Sequence, residues 1–96
     1  MNCVLRCVDE DDCEFYVLSK AISDFTIIID EGDYDNDPVV EKVVINPFSG
    51  HGYYSGYYCK AIELFRNGIS VGEMDFDSNE SWRKSEVLKM LMECFK

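Results

Sequence analysis

Histidine, tryptophan, proline and positive charge are all scarce in this chain. It has one histidine, one tryptophan, two prolines and nine Lys and Arg residues, against nineteen Asp and Glu. A lone histidine leaves His-based metal clusters without partners, and any acid–base chemistry of that kind would fall on His51. No stretch reaches the ~18 consecutive apolar residues of a membrane helix. The opening "MNCVLRCVDEDD" has one Arg, a short apolar run and then acids, with no small-residue cleavage site, so it does not read as a signal peptide. The expected location is the cytoplasm. Five cysteines, Cys3, Cys7, Cys13, Cys59 and Cys94, are odd in number and scattered. In a reducing compartment they behave as small apolar residues, not as a disulfide scaffold, and their spacing matches no zinc pair. No cofactor or metal is expected.

The scarcity of bases bears on partners. The net charge is −10. Residues 1–41 carry twelve acids and two bases, whereas residues 42–96 carry seven of each, so the whole excess lies in the first 41 positions. It concentrates in "DEDDCE" (9–14) and "DEGDYDND" (30–37). Direct nucleic-acid binding needs Lys and Arg against phosphate, so this charge excludes it and favours a basic protein surface instead. A plain solubility role for the same charge explains its sign, but explains the clustering less well.

At 96 residues and 47% apolar content, the chain holds one ordinary domain, 1–96, with a modest core. "NCVLRCV" (2–8) and "CEFYVLS" (13–19) flank the turn "DEDD" and form a hairpin. A rival helix from Glu14 would use Phe15, Leu18, Ile22 and Phe25. "FTIIID" (25–30) and "VVEKVVIN" (39–46) are strands around an acidic loop closed by Pro38. A long strand over 53–66 meets a return strand over 69–76 at "NG" (67–68), whose two residues accept positive φ. A closing helix, capped from Asp77, Ser78 or Asn79 with Glu80 as in a capping box, would dock Leu88, Leu91, Met92 and Phe95 and turn Arg83, Lys84 and Lys89 to water. The expected fold is α+β: an antiparallel β-meander of about five or six strands with a C-terminal helix packed on one face.

Candidate chemistry is thin. "DYDND" (33–37) alternates carboxylates as calcium loops do. An EF-hand starting at Asp33 would need Gly at position 38 and Glu at position 44, and the chain has Pro38 and Val44, so a solvated loop is expected. His51 with Cys59 or Ser49 has no orienting third group. "SGHG" is neither a nucleophile elbow nor a phosphate loop. No catalytic residue is assigned, and the protein is expected not to be an enzyme. "SGHGYYSGYY" (49–58) stands out for its tyrosines. In an extended segment Tyr54 and Tyr58 share one face and Tyr53 and Tyr57 the other, so one pair packs inward and one serves as contact surface. The expected partner-binding set is Asp9, Glu10, Asp11, Asp12 and Glu14 from the first cluster and Asp30, Glu31, Asp33, Tyr34, Asp35 and Asp37 from the second. Tyr53, Tyr54, Tyr57 and Tyr58 complete it.

"NGISVGEMDFDSNESW" (67–82) resembles a stretch of the small phage anti-CRISPR proteins, through Asn67-Gly68, Ser70-Val71-Gly72, Asp75-Phe76-Asp77-Ser78, Glu80 and Trp82. The small acidic profile, with "PFSG" (47–50) after a strand, is similar to bacterial toxin-immunity proteins. Both resemblances imply stoichiometric blocking of a basic nucleic-acid-handling protein, a Cas subunit in one case and a toxin nuclease in the other. Carboxylates along a surface would stand in for phosphates. Unpaired strand edges leave room for a homodimer.

Overall fold

A computed structural model describes residues 3–47, 56–78 and 80–94. Six antiparallel strands form one sheet: β1 (Cys3–Asp9), β2 (Glu14–Leu18), β3 (Ile22–Ile29), β4 (Val40–Pro47), β5 (Tyr57–Arg66) and β6 (Ile69–Asp75). Helix α1 (Lys84–Cys94) follows. The architecture is the expected α+β meander with a C-terminal helix. Residues 14–24 resolve as strand, a single 3₁₀ turn over Ser19–Ala21, and strand again, not as a helix. The start of the expected 53–66 strand, with Tyr53 and Tyr54, lies outside the described residues, as do Ser49 and His51.

The sheet order is β2-β1-β5-β4-β3, with β6 also on β5. Strand β5 is the hub. One of its edges carries β1 along nearly its whole length. The other edge is divided, with β4 facing 57–59 and β6 facing 61–66. The two ends of the order, β2 and β3, are joined by only three residues. At ~2 Å rise per residue that turn brings the ends together, so the sheet curls round on itself. Its inner face buries Cys3, Leu5 and Cys7 of β1, Val43 and Ile45 of β4, and Cys59, Ile62 and Leu64 of β5. A strict two-residue period cannot put Cys59 and Ile62 on one face. The ladder skips Lys60, since Val8 faces Ala61 and Asp9 faces Cys59, and this bulge resets the parity. The β5–β6 turn has Asn67 at φ 53° and Gly68 at φ 80°, the two positive angles that the Asn-Gly pair supplies.

Helix α1 departs from expectation in its buried stripe and in its cap. Val87, Leu91 and Cys94 are buried, with Met90 packed beside them, while Met92 is exposed and Phe95 falls outside the described residues. The helix also begins later than the Asp77–Glu80 segment. Lys84 N–H donates to Pro38 O (2.9 Å), and Ser85 N–H donates to Asp37 Oδ1 (2.8 Å). Ser85 Oγ–H donates to Asp37 Oδ2 (2.5 Å), and Arg83 N–H to Glu86 Oε1 (3.2 Å). The acidic loop therefore caps the helix from 48 positions away. Asp77 instead belongs to a local turn, its N–H donating to Asp75 Oδ1 (3.0 Å).

Candidate protein-binding surface

The two acidic clusters have different fates in the fold. In the first, Asp9 turns its carboxylate onto its own loop, accepting from Asp11 N–H and Cys13 N–H at 2.9 Å each. Glu10 pairs with Lys42, Asp12 with Lys60 and Glu14 with Arg6. Glu10 and Asp12 hold the ammonium groups of Lys42 and Lys60 above their ordinary pKa. Asp11 is exposed and makes no ion pair among the described residues. The 9–14 turn thus draws bases from the second half of the chain onto acids of the first, which is why the block-wise imbalance of the sequence does not map onto space.

In the second cluster the expected solvated loop is a clamp. Asp33 Oδ2 accepts from Val39 N–H (2.8 Å) and Arg83 Nη1 (2.9 Å), and its Oδ1 accepts from Asp35 N–H (2.9 Å). Hydrogen bonds from the Asp35 and Val39 N–H groups hold the Asp33 carboxyl below the usual range. The Ser85 hydroxyl and N–H do the same for Asp37. Asp30 Oδ1 accepts from Gly32 N–H (2.8 Å), and Asp35 lies 3.6 Å from Arg83. Arg83 is therefore partly buried in this clamp and does not simply face water. Glu31 is exposed, and Tyr34 is the most exposed aromatic in the described chain, at 95%.

Of the four tyrosines of 53–58, Tyr57 and Tyr58 are described. Tyr57 lies on the core side of the sheet, its ring 4.3 Å from that of Phe15 and tilted 40°. Tyr58 lies on the outer face, with Lys42 Nζ 5.7 Å from its ring centre. Each is close to half exposed. Both meet the first acidic cluster: Asp9, Glu10 and Asp11 line a shallow hollow with Gly56, Tyr57 and Tyr58. A second hollow runs on from it through Glu10, Glu41, Lys42, Lys60 and Asp77. A third continues over Lys60, Asp77, Asp12, Asp75, Glu73 and Arg6. Because each hollow shares residues with the next, they form one continuous band on the outside of the sheet. Eight carboxylates (Asp9, Glu10, Asp11, Asp12, Glu41, Glu73, Asp75 and Asp77) stand there against three cations, Arg6, Lys42 and Lys60.

Glu41, Glu73, Asp75 and Asp77 are not in the partner-binding set expected from the sequence, since they fall outside the two dense runs. The alternation of β4 and β6 was the available signal, because outward strand positions that carry acids on neighbouring strands stack into one surface. The structure thus brings together the 9–12 acids with Tyr57 and Tyr58, and leaves 30–37 apart as a helix clamp with Tyr34 at its tip. Cys59, considered above as a nucleophile, is fully buried, its Sγ donating to Tyr57 O (3.4 Å). Among the described residues no three His, Cys, Asp or Glu side chains converge as a metal site. Among them, too, no helix is long and apolar enough to cross a membrane. No protein-family model matches the chain, and comparison with the curated proteins and with the solved structures found no match.

Proposed function

We propose that this chain is a small acidic, non-enzymatic inhibitor that binds a basic nucleic-acid-handling protein and blocks its nucleic-acid site, acting in the cytoplasm of a bacterial host as an anti-defence protein of the anti-CRISPR type. The band of eight carboxylates bordered by Tyr57 and Tyr58 carries this reading. A row of carboxylates presents negative charge to a groove that evolved for phosphates, and half-exposed tyrosines add contact area at low entropic cost. Occlusion of this kind requires no turnover. An immunity protein facing a toxin nuclease would use the band in the same way, and the identity of the captured protein separates the two.

The test combines capture and competition. Tagged protein is incubated with host lysate at low salt, and the bound protein is identified by mass spectrometry. Inhibition of its nucleic-acid binding is then measured with the purified pair. Asp11, Glu41 and Asp77 make no side-chain ion pair or hydrogen bond among the described contacts, so the triple variant Asp11→Lys, Glu41→Lys, Asp77→Lys changes the net charge from −10 to −4 without removing one. It is expected to weaken capture at least tenfold, and added salt to release the wild type, because exposed charges are screened within about 8–10 Å. Capture indifferent to both salt and the triple substitution would refute the reading.

A further inference from the structure

The band lies on the outer side of β6, and at Glu73 it meets another hollow along the free edge and inner side of the same strand. Among the described residues strand β6 pairs only with β5, and its other edge is open. Phe76 N–H donates to Lys60 O (2.8 Å). By antiparallel alternation, Met74 and Gly72 bond β5, and the N–H and C=O of Glu73 point away from it. Beside that edge, between β6 and α1, runs a groove of about 430 Å³. Leu64, Gly72, Met74, Met90, Val71 and Trp82 give it apolar walls, and its rim is charged, with Glu73, Glu86 and Glu93 against Arg66 and Lys89. Gly72 leaves space there, since a Cβ on it would lie 3.4 Å from Met90 Cε, at the end of a flexible side chain. Val71 and Ile69 on this strand are half or more exposed. Two buried donors, Trp82 Nε1 and Arg66 Nε, both on residues lining the groove, have no hydrogen-bond partner among the described residues.

We infer that the β6 edge and this groove receive an extended segment of the partner protein, added as a further antiparallel strand, in which apolar residues alternate with Lys or Arg. The alternation follows from the register. A strand laid on β6 sets one set of side chains beside Gly72 and Met74, over the groove, and the other beside Glu73 and Asp75, on the outer face. Opposite charges across neighbouring strands stabilise the pairing and like charges oppose it, so the outer positions of the incoming strand are basic. The same acids turn away a second copy of this chain, because β6 against β6 sets carboxylates facing carboxylates. This inference rests on the reading of the partner as a basic protein and says how that partner is held.

The probe is a capped heptapeptide alternating Lys and Val, beginning and ending in Lys, compared with an isomer carrying its four Lys first and three Val last. Trp82, the single tryptophan, reports from the groove by fluorescence, and amide shifts over 71–75 report from the edge. The alternating peptide is expected to bind with both signals, and the blocked isomer roughly tenfold or more weakly. Glu73→Pro removes the outward N–H without breaking a bond to β5 and should cost a similar factor. Gly72→Leu fills the groove from its floor and gives a second, independent loss. Equal binding of the two isomers, or no binding at millimolar peptide, would overturn strand addition and leave the acidic-band reading untouched, whereas capture indifferent to both salt and the triple substitution would overturn the band reading and leave the peptide result standing. A concentration-dependent dimer abolished by Glu73→Pro would show that the edge takes a second copy, and would also overturn the inference.

Discussion

Replacing Leu91 with Ala tests which face of α1 holds the helix to the sheet. Leu91 is fully buried, whereas Met92, its neighbour on the chain, is 55% exposed. Truncation to Ala removes three buried carbon atoms, worth about 0.8 kcal/mol each in transfer from water, and leaves a cavity that the packed surroundings fill only in part. The expected loss is about 3 kcal/mol. Stability for a domain of this length is of the order of 5–14 kcal/mol, so the variant should fold but melt on the order of 15 °C lower. Met92→Ala removes a side chain that is mostly in water and should change stability by less than about 0.5 kcal/mol. Urea titration with Trp82 fluorescence measures both, and an unchanged m-value shows that the unfolding transition is the same one. If Met92→Ala proved as damaging as Leu91→Ala, the helix would be rotated from the orientation described, and the groove beside β6 would not have the lining assigned to it.

Further predictions follow from the clamp, the thiols and the β5–β6 turn. Asp37 titrates below its unfolded value because Ser85 donates to its ionised form. Its contribution is therefore complete above the ordinary carboxylate pKa near 4 and is lost as pH falls through the lower folded value. Asp37→Asn should lower the melting temperature at pH 7, and its difference from wild type should shrink as pH drops below about 4; a gap of constant size would contradict the capping role. Of the five cysteines only Cys13 is exposed. Burial pushes Cys94 up to about 11, and the contact with Cys59, together with burial, raises Cys7 well above an ordinary thiol. A thiol reagent at neutral pH should count one fast cysteine in the native protein and five in denaturant. Gly68→Val puts a branched residue at φ 80° with no neighbouring atom within 4 Å, so its cost is backbone strain alone, about 1–2 kcal/mol by thermal melting.

Local chemistry carried much of the fold. Three consecutive isoleucines, the alternation of 61–65 and the Asn-Gly pair each fix a strand or turn through neighbours in sequence, and those elements stand where expected. The helix stripe was ambiguous because 87/91/94 and 88/91/92/95 both satisfy helical spacing and share Leu91. The choice depends on how the helix enters, and that is set by Asp37 and Pro38, which helical periodicity cannot see. The bulge at Lys60 was equally hidden, since it exists only in the pairing of β5 with β1. For the surface, two dense acidic runs drew attention by composition. One of them, at 9–14, lies in the band. The other spends Asp33 and Asp37 on backbone amides, an arginine and a serine hydroxyl, while dispersed acids on β4, on β6 and just after it complete the band in their place.

The pairing of β1 with β5 also governs how the chain comes together. Asp9 faces Cys59, so closing that ladder spans a loop of about fifty residues, against about five for the β1–β2 hairpin. Loop closure at those lengths differs by roughly 2 kcal/mol of entropy. Hairpins β1–β2 and β3–β4 rest on near neighbours and have the lead, while the hub strand is synthesised after four of the other five strands. Until β5 arrives, the inner face of β1, Cys3, Leu5 and Cys7, has neither its second neighbour nor the helix above it. Chains stopped before the sixties should therefore aggregate rather than fold, and the slowest step in refolding should be the one in which the last third of the molecule joins the first.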